Sequence, residues 1–168
     1  MPPTNDQRPA VEWVKPPEAV IKVANPIMRW LLGSPLHGLV DKHSMLLRFR
    51  GRRTGRAYMV PVGRRTIDGQ LGVLTNSGWR VNFRGGASVE VTLEGELRPG
   101  HAELVEDPEE VARVSANLIE EYGHERAGRP LGIRVNVDRK PTHEELVDLI
   151  ERSRLAVITI DLDGVPTR

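Results

Sequence analysis

The sequence predicts an α+β fold: a mostly antiparallel sheet of six or seven strands, with an N-terminal helix and two further helices. Three observations predict it. Between residues 45 and 105, short apolar segments alternate with glycine-containing turns, which is typical of consecutive hairpins. Beyond residue 106, two segments have the three- and four-residue apolar spacing of helices. A last apolar segment follows them, and a strand that returns to the sheet in this way favours a small barrel.

Composition narrows the class of protein. The 168 residues favour one domain, which we place at residues 16–168 after a flexible N-terminal arm, residues 1–15. The absence of cysteine excludes disulfides and thiolate metal sites. The first residues do not resemble a secretory signal, and no apolar run is long enough for a transmembrane segment. A net charge of +1 argues against a general binder of polyanions.

The first predicted element is helical. In the segment PPEAVIKVANPIMRWLLGS, residues 16–34, apolar side chains recur at helical spacing. Pro26 interrupts this pattern, and Asn25 before it suits a helix N-cap, so we expect two short helices or one kinked helix. Gly33 is a typical helix end.

Six strand segments follow along the chain. They are MLLRFR (45–50), YMVPVGRRT (58–66), QLGVLT (70–75), ASVEVTLEG (87–95), ELRPGHAELV (96–105) and RLAVITIDL (154–162). Pro61 in the second segment indicates a sheet edge or a bulge, because proline cannot donate to a strand ladder. Asp68-Gly69 and Glu94-Gly95 are hairpin turn signals, so the segments on either side of each are expected to pair.

Two capped helices are predicted before the last strand. They are residues 107–123 and 141–153, and the segment 128–140 between them is predicted to be a loop. Asp107 and Glu110 have the spacing of a capping box, as do Thr142 and Glu145. In a capping box, the first side chain and the fourth each accept a hydrogen bond from the other residue's backbone N–H.

The most unusual feature is a cluster of arginines with no acid near it. The cluster consists of Arg48, Arg50, Arg52, Arg53 and Arg56. Its centre, GRRTGR at residues 51–56, is a glycine-flanked loop between two strands, and such a loop can direct several backbone N–H groups at one anion. Thr54 adds a hydroxyl, Gly55 permits a positive φ, and arginine forks match phosphate or carboxylate. The alternative is a tight hairpin whose arginines are simply solvated.

The same region resembles a known family. GRRTGRAYMVP is followed by GVLTNSG, then by Trp79-Arg80-Val81-Asn82 in a predicted helical turn, then by a valine-rich strand. This order, over residues 44–105, resembles the deazaflavin-dependent nitroreductase family, whose members are split β-barrels related to FMN-binding barrels. The chain departs from the family pattern at Tyr58, where arginine is usual, and at Arg80, where tyrosine often follows the tryptophan.

The resemblance implies a cofactor site. Arg53, Thr54 and Gly55 would hold the phosphate of coenzyme F420, and Arg56 would assist with its acidic tail. The residues implied near the deazaflavin ring are Pro61, the backbone of Thr75, Asn76, Ser77 and Gly78, and the side chains of Trp79 and Asn82. Tyr58 is a weak candidate for a proton donor, whereas Tyr122 falls on the buried stripe of a helix and is expected in the core.

Other chemistries lack a sequence signal. The five histidines share no short metal-ligand spacing, so no metal site is predicted. No nucleophile elbow or phosphate-binding Walker loop is present. The arginine loop could contact nucleic acid, but with 4% aromatic residues the chain offers few stacking platforms, so we expect no nucleic-acid partner.

The resemblance therefore predicts an F420-dependent oxidoreductase. It would transfer a hydride from reduced deazaflavin to a hydrophobic quinone, nitro or activated-alkene acceptor. Two alternatives stay open: a non-catalytic barrel that binds F420, a fatty acid or another carboxylated ligand, and an FMN-dependent oxidoreductase. Since related barrels often pair, a homodimer is compatible with the family. The expected location is cytoplasmic, either free or peripheral to the membrane.

Overall fold

The computed structural model describes residues 8–14 and 43–164, and its contacts divide the chain into two compact units. The predicted N-terminal helix, residues 16–34, lies outside the described residues. One unit combines residues 1–15 with 106–156, and the other combines residues 16–105 with 157–168. The single domain over residues 16–168 stays a prediction, as does the flexible arm. Within that arm, Val11–Trp13 form a strand.

The second unit contains a seven-stranded sheet curled into a half-barrel. Its strands are β2 (Ser44–Arg50), β3 (Ala57–Gly63), β4 (Arg65–Ile67), β5 (Gln70–Thr75), β6 (Ala87–Leu93), β7 (Glu96–Val105) and β9 (Ala156–Leu162), in the order β3-β2-β6-β7-β9-β5-β4. A six-residue 3₁₀ helix, Gly78–Phe83, connects β5 to β6. The predicted fold class is confirmed, including the return of the last strand to the sheet.

The curvature of this sheet follows from its connections. The second predicted strand is in fact two strands, because β3 ends at Gly63 and β4 begins at Arg65. At this break the Arg64 N–H donates to the His43 carbonyl (3.0 Å). β3 pairs with β2 at one edge of the sheet, whereas β4 pairs with β5 at the other. Because one residue separates the two edge strands, the chain holds the two edges of the sheet near each other and the sheet is curled.

The core of the half-barrel comes from strand alternation. In β2, Met45, Leu47 and Phe49 face inward, and the register places them opposite Val62, Val60 and Tyr58 of β3. The other buried members of this core are Val73, Phe83, Val89, Val91, Leu93, Ala102, Ile158 and Ile160. Pro61 lies on an edge strand, as predicted.

The first unit is built from three helices, one of them only four residues long, and a small sheet. Its elements are β1 (Val11–Trp13), α1 (Pro108–Tyr122), α2 (Gly128–Leu131), β8 (Ile133–Val135) and α3 (His143–Ser153). β1 and β8 are antiparallel partners. The prediction of a loop over residues 128–140 is therefore wrong in part. Its strand forms by pairing with residues more than a hundred positions earlier, which local patterns do not reveal.

The helix ends test the two predicted capping boxes. The box of α3 is confirmed: the Glu145 N–H donates to Thr142 Oγ1 (3.3 Å), and the Thr142 N–H donates to a Glu145 carboxylate oxygen (2.8 Å). The prediction of a capping box for α1 is wrong, because the Asp107 side chain makes no capping hydrogen bond. The Glu110 carboxylate is instead held by the guanidinium of Arg113, one turn along the helix, at 2.6 and 3.1 Å. No helix within residues 8–14 and 43–164 is long and apolar enough to cross a membrane.

Candidate functional site

The arginine loop, residues 51–56, is a closed turn between β2 and β3. The Gly51 N–H donates to the Arg56 carbonyl (2.7 Å), and the Gly55 N–H donates to the Gly51 carbonyl (2.8 Å). Gly55 has φ 68°, a positive value that glycine permits. The loop backbone is thus fixed from within, and its side chains from Arg52 to Arg56 are exposed.

Two of the arginines hold the loop in place. Arg50 donates from Nη1 to the Gly55 carbonyl (3.2 Å). Arg52 makes two bonds, from its backbone N–H to Asn82 Oδ1 (2.8 Å) and from Nη1 to the Arg84 carbonyl (3.0 Å). Asn82 in turn donates from Nδ2 to the carbonyl of Trp79 (2.7 Å). Through Asn82, the loop is joined to the 3₁₀ helix.

Two other arginines are left for an external partner. Arg53 makes no hydrogen bond, ion pair or ring contact with any residue of the described ranges. Arg56 lies with its guanidinium carbon 5.8 Å from the centroid of the Tyr58 ring and forms no ion pair there either. The backbone N–H groups of Arg53 and Thr54 also have no acceptor within residues 8–14 and 43–164. These groups form a set of solvent-exposed donors without a partner in the described chain, all on one turn.

Thr54 and Gly55 contribute differently from what the sequence suggests. The Gly55 N–H is already used by the Gly51 carbonyl, so it is not an available donor. Thr54 Oγ1 accepts the Arg56 N–H (3.3 Å), which leaves its O–H able to donate. The available donors of the turn are therefore the Thr54 hydroxyl, two backbone N–H groups and two guanidinium groups.

An aromatic cluster lies at the base of the arginine loop. Phe49, the last inward residue of β2, is its centre: its ring centroid lies 5.4 Å from that of Tyr58, 5.8 Å from that of Trp79 and 4.9 Å from that of Phe83. The Tyr58 ring also covers Gly51, where an added Cβ would lie 2.8 Å from Tyr58 Cε2. The loop therefore lies next to an apolar surface of aromatic rings. Tyr58 is the part of this surface that reaches solvent, with 38% of the residue exposed.

The segment before the 3₁₀ helix is held by its own hydrogen bonds. Thr75 is buried, and its Oγ1 accepts the Ser77 N–H (3.1 Å). Arg80 donates from Nη1 to the carbonyls of Asn76 (3.2 Å) and Ser77 (3.1 Å). Since a 3₁₀ helix rises about 2 Å per residue, Gly78 lies roughly 8 Å along the axis from Asn82, which contacts the loop.

The structure brings most of the predicted site residues to one region. Arg53, Thr54, Gly55 and Arg56 form the turn, and Asn82 contacts it directly through Arg52. Trp79 reaches it through the aromatic cluster, and Thr75, Asn76, Ser77 and Gly78 lead into the same helix. Pro61 is the exception. Strand alternation places its side chain on one face of the sheet and those of Val60 and Val62 on the other face, where the aromatic rings lie. Contact of these residues with a ligand stays a prediction.

The sequence alone assigned no site role to three residues of this region. Arg52 and Arg84 provide the contact between loop and helix, and Phe49 centres the aromatic cluster. Phe49 could have been found, since alternation along β2 and the hairpin register place it opposite Tyr58. The Arg52 contact could not, because its partners lie thirty or more positions away and a guanidinium is compatible with many acceptors.

Several solved structures are similar to this chain at low sequence identity. The chain is similar to a domain-swapped dimer, with 17% identity and a TM-score of 0.45 over 87% of this chain and 100% of the other. It is also similar to the conserved hypothetical protein Rv2991 from Mycobacterium tuberculosis, with 18% identity and a TM-score of 0.41 over 97% and 95% of the two chains. A protein of unknown function from Agrobacterium tumefaciens matches at 13% identity and a TM-score of 0.40, over 90% of this chain and 59% of the other. No curated protein sequence matches the chain.

A family model gives the more specific result. The model described as F420H(2)-dependent quinone reductase matches residues 27–138, well over half of the chain, and includes the whole arginine loop and the 3₁₀ helix. The predicted relation to deazaflavin-dependent proteins is confirmed, and with it coenzyme F420 as the cofactor. The chain belongs to the F420H(2)-dependent quinone reductase family.

Proposed function

We propose that this protein is an F420-dependent oxidoreductase that reduces a quinone, and that the arginine loop holds the phosphate of the cofactor. The observation that carries the proposal is Arg53, an exposed guanidinium with no partner in the described chain, beside two backbone N–H groups that also lack one. Charged and backbone donors converging on one exposed turn fit a phosphate group, and a phosphate supplies acceptors for all of them.

The charge of the arginine loop fits the anionic cofactor F420, as does the arrangement of its hydrogen-bond donors. Arg50, Arg52, Arg53 and Arg56 form no ion pair with any acid of the described ranges, so a bound polyanion meets no competing carboxylate there. When bound, F420 supplies the hydride chemistry. The chain supplies orientation: Arg53, Thr54 and the loop N–H groups bind phosphate, while Arg56 meets the acidic tail.

The remaining residues of the region position and border the reacting end. Asn82 and Arg52 fix the loop relative to the 3₁₀ helix, and Trp79 with Phe49 provides an apolar wall that excludes water. Tyr58 is the candidate proton donor, since its side chain is partly exposed beside the loop. The quinone as acceptor, the homodimer and the cytoplasmic location belong to this proposal.

Titration of F420 fluorescence into matched variants tests the binding role. A charge-assisted hydrogen bond contributes about 1.5–3 kcal/mol, so Arg53→Ala should weaken F420 binding about ten- to hundredfold. Arg53→Lys should also weaken it, because an ammonium does not reproduce the fork. Arg98→Ala is the control, since Arg98 is exposed on the same sheet but is paired with Glu96 (2.8 Å).

The outcomes separate binding from turnover. Equal F420 affinity of the wild-type protein and Arg53→Ala would contradict the phosphate site. An equal loss in Arg53→Ala and Arg98→Ala would indicate a diffuse attraction between charges instead. Oxidation of reduced F420 by a soluble quinone, followed by absorbance, tests the reaction, and tight binding without turnover would make the protein a non-catalytic F420 binder. The chromophore released on denaturation distinguishes F420 from FMN.

A further inference from the structure

A second group of polar side chains converges on the first unit, at the end of helix α1. His124 and Glu125 follow directly after Gly123, which ends the helix. Asp138 comes from the segment between β8 and α3. One potential ligand atom of each residue lies within 4.8 Å of those of the other two. The sequence does not indicate this convergence, since thirteen positions separate Glu125 from Asp138.

None of the three side chains has a hydrogen-bond or ion-pair partner within residues 8–14, 43–128 and 131–164. The cations beside Asp138 are engaged elsewhere. Arg139 donates to both carboxylate oxygens of Glu145 (2.7 and 2.9 Å), and Lys140 pairs with Glu120 (2.9 Å). Two carboxylates thus lie close together with no ion pair to any cation whose side chain the structure describes, and a shared cation would relieve the repulsion between them.

The end of helix α1 adds to the negative potential. A helix C-terminus carries about half a negative charge, which basic residues in the last turn commonly offset. Helix α1 has no basic residue in its last turn, and His124 and Glu125 follow within a few residues of that turn. A cation bound there would be attracted both by the carboxylates and by the helix end.

We propose that His124, Glu125 and Asp138 bind a divalent transition metal ion of the zinc class. Imidazole nitrogen with carboxylate oxygen is a ligand set typical of zinc, whereas calcium and magnesium prefer oxygen alone. Tetrahedral ligands about 2.1 Å from zinc lie about 3.4 Å from one another, so the three side chains need only small rotations to close on an ion. Water completes the coordination of the exposed site.

The bound ion would act as a clip between two segments of the unit. It would join the end of α1 to the segment that leads into α3, and it would stabilise the folded unit according to its concentration. This role is independent of the F420 site and of turnover.

Calorimetric titration of Zn²⁺ into the full chain without a histidine tag, after removal of metal by chelation, tests the proposal. We expect one equivalent to bind, and His124→Ala and Asp138→Asn to lower the affinity at least tenfold. His101→Ala is the control and should leave binding unchanged, because His101 is an exposed histidine that belongs to no group of three potential metal ligands within the described residues. Zn²⁺ should also raise the unfolding temperature of the wild-type protein and not that of Asp138→Asn.

Either of two results would overturn the site. One is Zn²⁺ binding of the wild-type protein no tighter than that of His124→Ala. The other is an equal loss of affinity in His101→Ala, which would indicate unspecific binding to surface histidines. Circular dichroism of each variant establishes that the fold is retained, so a loss of binding reports on the ligands themselves.

Discussion

At Gly51, a single hydrogen atom in place of a side chain leaves room for the ring of Tyr58. Gly51→Ala should destabilise the protein by about 1–2 kcal/mol, because the new methyl group would overlap the ring edge. In a Tyr58→Ala background the same substitution should cost almost nothing, since the obstructing ring is gone. Urea denaturation of the four proteins of this cycle measures the coupling.

Gly78→Ala is the control for this cycle. An added Cβ at Gly78 meets no atom within 4 Å, and its φ is not positive. If Gly51→Ala were equally destabilising with and without the Tyr58 ring, strain of the loop backbone and not the ring contact would explain the glycine.

Asn82 joins the arginine loop to the 3₁₀ helix, and replacing its side chain should free the backbone N–H of Arg52 from its hydrogen bond. Asn82→Ala removes the acceptor of the Arg52 N–H and the donor to the Trp79 carbonyl, so we expect a loss of about 1–2 kcal/mol in stability. The Arg52 amide should exchange with solvent faster, and F420 should bind more weakly although Asn82 itself need not contact it. Unchanged exchange at Arg52 together with weaker binding would instead make Asn82 a direct ligand.

The sequence shows the arginine cluster, but it does not show which arginines hold the loop and which have no partner in the described chain. Arg52 and Arg53 are adjacent and chemically identical, yet one holds the loop to Arg84 while the other has no partner in the described chain. This difference depends on where a carbonyl from the end of the 3₁₀ helix lies in space. Local sequence contains no information on that position, so only the location of the site could be predicted.

At the scale of the elements, the stability that the capping residues at the start of helix α3 contribute is expected to depend on pH. The Arg139 guanidinium, together with the Thr142 N–H, lowers the pKa of Glu145 from 4.5 to about 2. A carboxyl with a lowered pKa in the folded protein contributes stability above its ordinary pKa, and this contribution is lost as the pH falls through the folded value. The pair is close to solvent, so added salt should weaken the effect.

Glu145→Gln is the variant that tests this pH dependence. We expect it to be less stable than the wild-type protein above about pH 5, and the difference should shrink as the pH falls from 4.5 towards 2. Glu144→Gln, in the same first turn, is the control and should show no comparable trend. A difference that stayed constant down to pH 3 would show that the hydrogen bonds of the capping box, and not the charge, make the contribution.

The capped helices and the hairpins were predictable because their signals are local. Thr142 with Glu145 and the Asp68-Gly69 turn use only neighbouring residues, and both are found. The box at Asp107 failed because Arg113 competes for Glu110, a contest that the motif does not consider. β8 was missed for a different reason, since a three-residue strand exists only through its distant partner β1.

At the scale of the whole molecule, strand β9 is the element that makes the seven-stranded sheet continuous. It lies between β7 and β5, so without it the sheet separates into a four-stranded and a two-stranded part. A chain that ends at Lys140 lacks β9, which leaves backbone groups of both neighbours unpaired. We expect this chain to show no cooperative unfolding in urea and rapid proteolysis, whereas a chain ending at Gly164 keeps β9 and serves as the control. A folded, protease-resistant chain ending at Lys140 would contradict the single-domain prediction.

The position of β9 also has a consequence for the order of events during synthesis. The hairpins β2–β3, β4–β5 and β6–β7 can each form as they leave the ribosome, but β9, which joins β7 to β5, is made only after residues 106–155. At 5–20 residues per second, β7 waits roughly 3–10 s with an open edge. During that interval the nascent chain is exposed to pairing with its neighbours on the same messenger. Charged side chains protect open strand edges from such pairing, and β7 carries Glu96, Arg98 and Glu103 along its length.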